Sequence, residues 1–237
     1  FQDLISGKRD AIQALGMRNS ALVWSPDGKK LAMVVSFSGN PDIFSYSINS
    51  KRLIRLTDHY AIDTEPSWSP DSKKVAYVSF ETGMAKVYIQ DIATGERKLA
   101  IENSSQISSP SWSPDGKFLS LTMYQDGNAE IYILNLKNKN LTRLTNHFSI
   151  DTESSWSPKG SKIMFTSGRS GSPQLYEINL RKSNARPKRI TFEETAPQSS
   201  LCTKLVTQVW RERAFASKQR ITLHAVAVAH AAASRVW

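Results

Sequence analysis

The sequence is poor in cysteine, and it has no long apolar run. Its 237 residues include one cysteine, Cys202, which excludes an internal disulfide bond and a zinc site built from cysteines. No stretch reaches the roughly 18 consecutive apolar residues of a membrane-spanning helix, so we expect no membrane span. Hydrophobic residues make up 40% and charged residues 22% of the chain, a composition that excludes disorder as its global state.

Signatures of catalysis and of nucleotide binding are also missing. The sequence has no Gly-x-x-x-x-Gly-Lys loop, no dinucleotide fingerprint and no His-Glu-x-x-His pair. The nearest approach to a nucleophile elbow is Gly168-Arg169-Ser170-Gly171, which lacks the final spacing and falls in a predicted turn. We therefore expect no catalytic residue, no cofactor and no enzymatic activity.

Acidic residues are fewer than basic ones. Twenty-one Asp and Glu stand against 31 Lys and Arg, a formal net charge of +10, and such an excess invites binding to nucleic acid or to another anionic surface. The excess is spread along the sequence, however. The favoured interpretation is solvated lysines in turns, such as Lys29, Lys30, Lys73 and Lys74, so no nucleic-acid partner is expected.

An internal repeat of 44 residues is the strongest positive feature. Trp24, Trp68, Trp112 and Trp156 are each 44 residues apart, and each opens a Trp-Ser-Pro tripeptide. The same spacing relates a glycine position and an aromatic position, at Gly39, Gly83, Gly127 and Gly171 and at Phe44, Tyr88, Tyr132 and Tyr176. Three position classes in one register predict a repeat architecture.

Each repeat has the pattern of four short strands. In the second repeat we expect strands at 65–68, 74–80, 86–92 and 97–101, where β-branched and aromatic residues alternate with turn signals. Four-stranded units of this length with a recurring tryptophan indicate the blades of an all-β β-propeller. The tryptophans and tyrosines are then interpreted as packing between blades.

The repeat sets the expected domain limits. Four blades are predicted over 20–193, at 20–57, 64–101, 108–145 and 152–191. Residues 1–19 are expected to be an irregular segment or the outer strand of a preceding blade. Residues 194–237 contain no Gly, Asp or Asn and are expected to be a poorly ordered tail that is foreign to the propeller.

Two connections that enter first strands are nearly identical. They are 56–65 and 144–153, and they carry His59 and His147 at equivalent positions of non-adjacent blades, so a shared metal is not expected. The first strand of a blade lines the central channel, and polar loop residues at its mouth are a natural surface for a partner. The alternative, that Asp63 and Asp151 only cap turns, stays open at this point.

These motifs resemble the TolB-type propeller repeat over about residues 20–193. The string Thr166-Ser167-Gly168-Arg169-Ser170-Gly171-Ser172-Pro173-Gln174-Leu175-Tyr176 and the segment 73–83 are similar to blade sequences of that family. The resemblance implies a six-bladed ring, here with four clear blades, in a non-catalytic periplasmic protein of the Tol-Pal envelope system.

The resemblance also implies partners and contact residues. In this family the propeller binds the lipoprotein Pal at the channel mouth, the Tol-Pal system supports outer-membrane integrity and constriction at cell division, and colicins exploit it for import. By motif match, Pal contacts are expected at Gln106, Ser109, Thr152 and Glu153, with Thr64 and Glu65 as repeat equivalents.

Two other classes of protein remain open. The Trp-Ser-Pro-Asp-Gly repeat also occurs in the gating propeller of serine peptidases of the prolyl-oligopeptidase kind, in which a separate domain is catalytic. The third hypothesis is an intracellular scaffold propeller.

Overall fold

The computed structural model describes residues 18–37 and 39–192, which form sixteen β-strands in four antiparallel sheets. The strands are β1 Arg18–Trp24, β2 Lys30–Phe37, β3 Asn40–Ser47, β4 Leu53–Arg55, β5 Asp63–Trp68, β6 Lys74–Ser79, β7 Lys86–Asp91, β8 Arg97–Leu99, β9 Gln106–Trp112, β10 Phe118–Gln125, β11 Asn128–Asn135, β12 Leu141–Arg143, β13 Asp151–Trp156, β14 Lys162–Ser167, β15 Gln174–Asn179 and β16 Lys188–Arg189.

Each sheet is a four-stranded meander in chain order. The first strands of successive sheets, β1, β5, β9 and β13, contact one another in turn, so the sheets are arranged radially as propeller blades. The predicted all-β propeller of four clear blades is confirmed. None of the residues described forms a helix long and apolar enough to cross a membrane.

The strand limits follow the local chemistry of the sequence. In the second blade β5 begins two residues earlier than expected, and β6, β7 and β8 end one or two residues earlier. In the first blade β1 begins at Arg18. The predictions for residues 1–17 and 194–237 lie outside the described residues.

Three of the four recurrent tryptophans join their blade to the one before it. Each stands at the last residue of a first strand. The indole Nε1–H of Trp68 donates to the carbonyl of Val23 at 3.2 Å, and the same bond runs from Trp112 to Ser67 at 3.1 Å and from Trp156 to Ser111 at 3.1 Å. These three indoles therefore act between blades, as the repeat predicts.

The core lies between neighbouring sheets. One apolar cluster combines Ala32, Val34 and Ile43 of the first blade with Trp68, Val75 and Tyr77 of the second. Others bridge the second to the third blade and the third to the fourth. A four-stranded sheet cannot bury both of its own faces, so each blade depends on its neighbours for burial.

The Trp-Ser-Pro-Asp-Gly turns have the predicted conformation. In the first blade Gly28 has a φ of 69° and its N–H donates to the Ser25 carbonyl at 2.9 Å, closing a turn in which proline supplies the fixed φ. The Ser25 hydroxyl donates to Asp27 at 2.6 Å and accepts from the Lys30 N–H at 2.8 Å.

The connections gather on two opposite faces. The turn face comprises the β1–β2, β3–β4, β5–β6, β7–β8, β9–β10, β11–β12, β13–β14 and β15–β16 connections, and the loop face comprises the remaining ones. On the turn face the Ile48 N–H donates to the Lys29 carbonyl at 2.9 Å, and on the loop face the Phe80 N–H donates to the Ile62 carbonyl at 3.0 Å. The residues predicted to contact a partner lie toward the loop face.

Candidate functional site

A β-bulge interrupts every first strand at the same repeat position. In β5, Thr64 pairs with Val78 and Ser67 with Ala76, so two residues lie opposite one on β6. The same shift of register occurs in β1, β9 and β13. Bulges bend a strand and redirect a side chain, and they are enriched beside functional sites.

The first bulge residue is left-handed in all four blades, although none is glycine. Ala21, Glu65, Ser109 and Glu153 have φ between 50° and 55°, a region that non-glycine residues seldom occupy. These four residues are spaced by 44 positions along the chain. Backbone held in such a conformation costs of order 1 kcal/mol per residue and persists only where surrounding contacts fix it.

A hydrogen bond links two of these bulges across blades. The Glu65 carboxylate accepts from the backbone N–H of Ser109 at 2.6 Å. In the fourth blade the Thr166 hydroxyl donates to Glu153 at 3.4 Å. Burial raises the pKa of the Glu153 carboxyl, and the charge of Glu65 raises this pKa further. The two acidic bulge residues therefore repel each other electrostatically.

The six predicted contact residues occupy equivalent places on three first strands. Thr64 and Glu65 are the second and third residues of β5, Thr152 and Glu153 are those of β13, and β9 carries Gln106 and Ser109. Glu65 and Gln106 are exposed, while the other four are partly buried. The structure brings Glu65 and Ser109 into direct contact and places all six on the inner strands, toward the loop face.

The two nearly identical connections have one conformation. In the first, the His59 ring lies tilted against the Tyr60 ring with centroids 4.1 Å apart, and its Nδ1 accepts from the Ala61 N–H at 3.3 Å. In the second, the His147 ring lies tilted against the Phe148 ring with centroids 4.2 Å apart, and its Nδ1 accepts from the Ser149 N–H at 3.1 Å. The imidazole therefore serves as a support for the following aromatic residue.

Each connection is also tied to the preceding hairpin. Asn40 Nδ2 donates to the carbonyl of His59 at 2.6 Å, and Asn128 Nδ2 donates to the carbonyl of His147 at 2.5 Å. The aromatic residues that follow these histidines face solvent, with Tyr60 82% and Phe148 87% exposed. Two aromatic side chains on hydrogen-bonded connections thus project from the loop face at repeat-equivalent positions.

A buried carboxylate begins two of the first strands. Asp63 and Asp151 are fully buried, and in both cases burial is the main reason why the pKa is raised. Asp151 is paired with Arg169, whose Nη2 lies 2.6 Å from its Oδ2. The idea that these residues cap turns is wrong, because neither carboxylate accepts a hydrogen bond from the described backbone.

Asp63 lacks the arginine that Asp151 has. The repeat equivalent of Arg169 in the second blade is Glu81, and neither Asp63 oxygen has a well-formed hydrogen bond. The hydroxyls of Ser79 and Thr57 face the carboxylate and partly offset the rise in its pKa. The second blade therefore holds a buried carboxyl whose charge is poorly compensated.

The loop face combines polar and aromatic side chains. Carboxylates, hydroxyls and an amide lie on the inner strands, and aromatic rings project beside them. Within the described ranges no group of three or more His, Cys, Asp or Glu side chains is placed to hold a metal ion. The segment Gly168-Arg169-Ser170-Gly171 lies in the β14–β15 turn, and the Arg169 side chain is occupied by Asp151.

Sequence reasoning identified the connections but missed two of their features. Tyr60 and Phe148 are exposed on connections that Asn40 and Asn128 hold by hydrogen bonds, which sequence spacing does not show. The bulges carry Ala, Glu, Ser and Glu, so no glycine marks their positive φ. The recurrence of the polar Thr-Glu pair after a buried aspartate is the one available signal.

Comparison with known proteins agrees with this geometry. The family model described as the TolB beta propeller domain, PD40, matches residues 1–75 and 66–228. The Tol-Pal system protein TolB of Ruthia magnifica subsp. Calyptogena magnifica is 53% identical over 38 residues, 16% of this chain and 9% of that protein.

Solved structures show the same similarity. TolB from Acinetobacter baumannii is 31% identical with a TM-score of 0.59, over 75% of this chain and 42% of that one. The putative TolB from Agrobacterium tumefaciens is 25% identical with a TM-score of 0.68, over 78% and 66%. Prolyl endopeptidases are 16% identical with a TM-score of 0.56, which shows the fold alone.

The present chain spans less than two thirds of the length of each TolB protein named above. The family model nevertheless covers more than half of the present chain, including all four blades. Together with the radial sheets and the recurrent indole bonds, this shows that the chain belongs to the TolB β-propeller family.

Proposed function

We propose that this chain is a non-catalytic protein-binding propeller of the Tol-Pal system and that it binds the lipoprotein Pal through its loop face. Its location would be the periplasm, where the complex supports outer-membrane integrity and envelope constriction at cell division. Other Tol-Pal components and imported colicins are further partners in this proposal. The proposal is supported by family membership and by the geometry of one face.

The observation that carries the proposal is the pair of exposed aromatic residues beside the polar inner strands. Tyr60 and Phe148 each project from a connection that leads within five residues to Thr64 and Glu65 or to Thr152 and Glu153. Protein interfaces concentrate their binding energy in a few aromatic residues surrounded by polar contacts. Because hydrogen bonds hold the backbone that precedes these rings, less entropy is lost when the connections bind a partner.

The bulge residues supply specificity in this proposal. Glu65 and Glu153 present carboxylates and Gln106 presents an amide on the inner strands, so a partner must satisfy these groups when water leaves the interface. The backbone at Glu65, Ser109 and Glu153 is held in a strained conformation before any partner arrives. A rigid site of this kind binds without a large rearrangement.

The peptidase alternative has less support. A gating propeller of the prolyl-oligopeptidase kind needs a catalytic domain elsewhere in its chain, and the likeness to prolyl endopeptidases rests on fold at 16% identity. Nothing in the geometry of the described residues favours substrate gating over partner binding. The same holds for an active site. The absence of enzymatic activity remains part of the proposal.

The test is calorimetric titration of the chain with the soluble domain of Pal. Phe148→Ala is expected to weaken binding about 30-fold, because an aromatic hot spot contributes about 2 kcal/mol. Thr152→Arg is expected to weaken it as well, by placing a long charged side chain on the inner strand. Ile54→Ala is the control, since Ile54 is a 49% exposed apolar residue on the outer strand β4.

The outcome is decisive in both directions. Loss of affinity in Phe148→Ala and Thr152→Arg, with Ile54→Ala unchanged, supports the loop face. Unchanged affinity in both loop-face variants, or no measurable binding of Pal by the parent chain, rejects the proposal.

A further inference from the structure

Charged residues are divided unequally between the two faces of the propeller. The basic residues of the turn-face connections are Lys29, Lys51, Arg52, Lys73, Lys117, Lys137, Lys139, Lys159, Arg181, Lys182 and Arg186, and the acidic ones are Asp27, Asp71, Glu96 and Asp115. The loop-face connections contain one basic residue, Arg169, and the acidic residues Asp58, Glu81, Glu102 and Asp126. The positive charge that is spread along the sequence is thus collected on one side of the fold.

The turns of successive blades form one continuous surface. The backbone N–H of Asp27 donates to the Ser72 hydroxyl of the next blade at 3.1 Å. A Cβ added to Gly116 would lie 3.3 Å from Pro70, and one added to Gly160 would lie 3.6 Å from Pro114. The basic side chains of all four blades therefore share a single face instead of four separate patches.

The acidic residues of this face are engaged inside their own turns. Asp27, Asp71 and Asp115 each accept a hydrogen bond from the serine hydroxyl two residues earlier, all at 2.6 Å. This serine bond is the main reason why the pKa of each of these carboxyls is lowered. The fourth acid, Glu96, is paired with Lys98 at 2.9 Å.

Several basic residues of the turn face, in contrast, project into solvent, although Lys117 lies 3.9 Å from Asp115 and Lys139 donates to the Ala100 carbonyl at 2.9 Å. Lys29 and Lys73 occupy equivalent exposed positions at the end of the first turn of their blades, and Lys159 is exposed at the position where the other blades have an aspartate. None of these three lysines has an ion pair among the residues that the structure describes. Arg181 and Lys182 are likewise exposed and without an ion pair there. These five exposed residues present charge that can meet an external anionic group.

We propose that the turn face binds the surface of a phospholipid bilayer that carries anionic head groups. Basic side chains distributed over a broad face lie within a Debye length of such a surface together, and each contributes to the attraction. No hydrophobic insertion is needed, because the attraction is electrostatic and reversible. This interaction is separate from the binding of Pal.

The composition of the turn face favours a lipid surface over nucleic acid. Its eight connections contain no Phe, Tyr or Trp, so the connections themselves supply no aromatic platform on which unpaired bases stack. Phe118 and Trp156 line a pocket beside two of the turns, but both side chains are partly buried. The described part of the chain also has no helix that could enter a major groove. The turn face is therefore a dispersed positive surface without features for recognising a nucleotide sequence.

The unequal charge also orients the protein. A chain that lies with its turn face on an anionic bilayer directs its loop face, with Tyr60 and Phe148, away from the membrane. The acidic connections of the loop face are repelled by the same surface. The partner-binding face would therefore stay accessible while the protein is held at the membrane.

The test is co-sedimentation of the full chain with vesicles of phosphatidylcholine alone or of phosphatidylcholine with about one third phosphatidylglycerol, at about 0.1 M and about 0.5 M salt. The parent chain is expected to pellet with the anionic vesicles at low salt only. The triple variant Lys29→Gln, Lys73→Gln, Lys159→Gln is expected to partition about 100-fold more weakly, because each lysine near the surface contributes about a factor of five.

A matched variant separates the face from the net charge. Adding Thr82→Lys, Asn146→Lys and Ser170→Lys to the triple variant restores the net charge of +10 on exposed positions of the loop face. Circular dichroism checks that each variant is folded. The proposal predicts that binding is not recovered.

Four results would overturn the proposal. Three come from the vesicle experiment, namely recovery of binding in the matched variant, equal binding to zwitterionic vesicles, and no binding to anionic vesicles at low salt. Tighter binding of a DNA duplex than of anionic vesicles at the same salt concentration would assign the face to nucleic acid and reject the lipid surface. None of these results bears on Pal binding, which is measured without lipid.

Discussion

Replacement of Trp112 tests how the blades are held together. The indole Nε1–H of Trp112 donates to the Ser67 carbonyl of the preceding blade at 3.1 Å. Its ring packs against an apolar cluster that includes Val87 of the second blade and Leu119 of the third. The side chain therefore stabilises the contact between two blades and not the interior of one sheet.

The expected cost follows from these two contributions. Removing a large aromatic side chain from a core costs about 3 to 5 kcal/mol, and because Trp112 is partly buried we expect Trp112→Ala to lie near the lower value. Trp112→Phe keeps most of the apolar contact and removes the N–H donor. It is expected to cost about 1 to 2 kcal/mol, the penalty for a buried carbonyl left without its partner.

Urea denaturation followed by circular dichroism measures both variants. Phe148→Ala is the control, because Phe148 is an aromatic residue that is 87% exposed, and its unfolding midpoint should stay close to that of the parent. The reasoning is refuted if Trp112→Ala unfolds at the parent midpoint, or if Phe148→Ala is destabilised as strongly as Trp112→Ala.

Three further variants test the turns, the buried carboxyl and the bulge. Gly116→Ala should lower the thermal midpoint more than Gly28→Ala, because both have φ near 70° but only the Gly116 Cβ would meet a neighbouring proline at 3.3 Å; equal midpoints contradict this. Burial raises the folded-state pKa of Asp63, so the free-energy cost of ionising this buried carboxyl lowers the stability of the parent as the pH rises from about 4 through that pKa. The difference in thermal midpoint between Asp63→Asn and the parent should therefore be more positive at pH 7 than at pH 4, and a difference that does not change with pH contradicts this. Glu65→Ala should lower the free energy of unfolding by about 1 kcal/mol through loss of its bond to the Ser109 N–H, whereas Glu65→Gln should recover most of it, and equal stability of the two variants argues against the bond.

The sequence was sufficient to predict the fold because the repeat constrains it at several levels. The tryptophan, glycine and aromatic positions recur with one period, and each has a separate structural reason. The tryptophan bonds to the preceding blade, and the glycine has positive φ in every blade, from 78° at Gly127 to 94° at Gly39 and Gly171. Agreement between independent signals is what makes such a prediction reliable.

The site was less predictable because its features depend on contacts between blades. No residue type marks the left-handed conformation of Glu65 or Ser109, and it is the neighbouring blade that fixes it through their hydrogen bond. The environment of Asp63 depends on Glu81, which stands where the fourth blade has Arg169. Periodicity identifies equivalent positions, but it does not show which of them differ chemically.

The charge distribution shows the same limit. Turn lysines that are far apart in the sequence look like isolated solvated residues. The radial arrangement places them on one face, since each turn stands at the same end of its blade. Because the sequence is periodic, a small excess of basic residues in each turn becomes a positively charged surface in the folded protein. This surface is seen only once the fold is known.

The most direct test of the central claim is hydrogen exchange of the chain with and without the soluble domain of Pal. If the loop face binds this partner, amides in 56–65 and 144–153 gain protection in the complex, while those in the 69–73 and 113–117 turns exchange at unchanged rates. Protection confined to the turn face, or none in either connection at saturating Pal, would contradict the account.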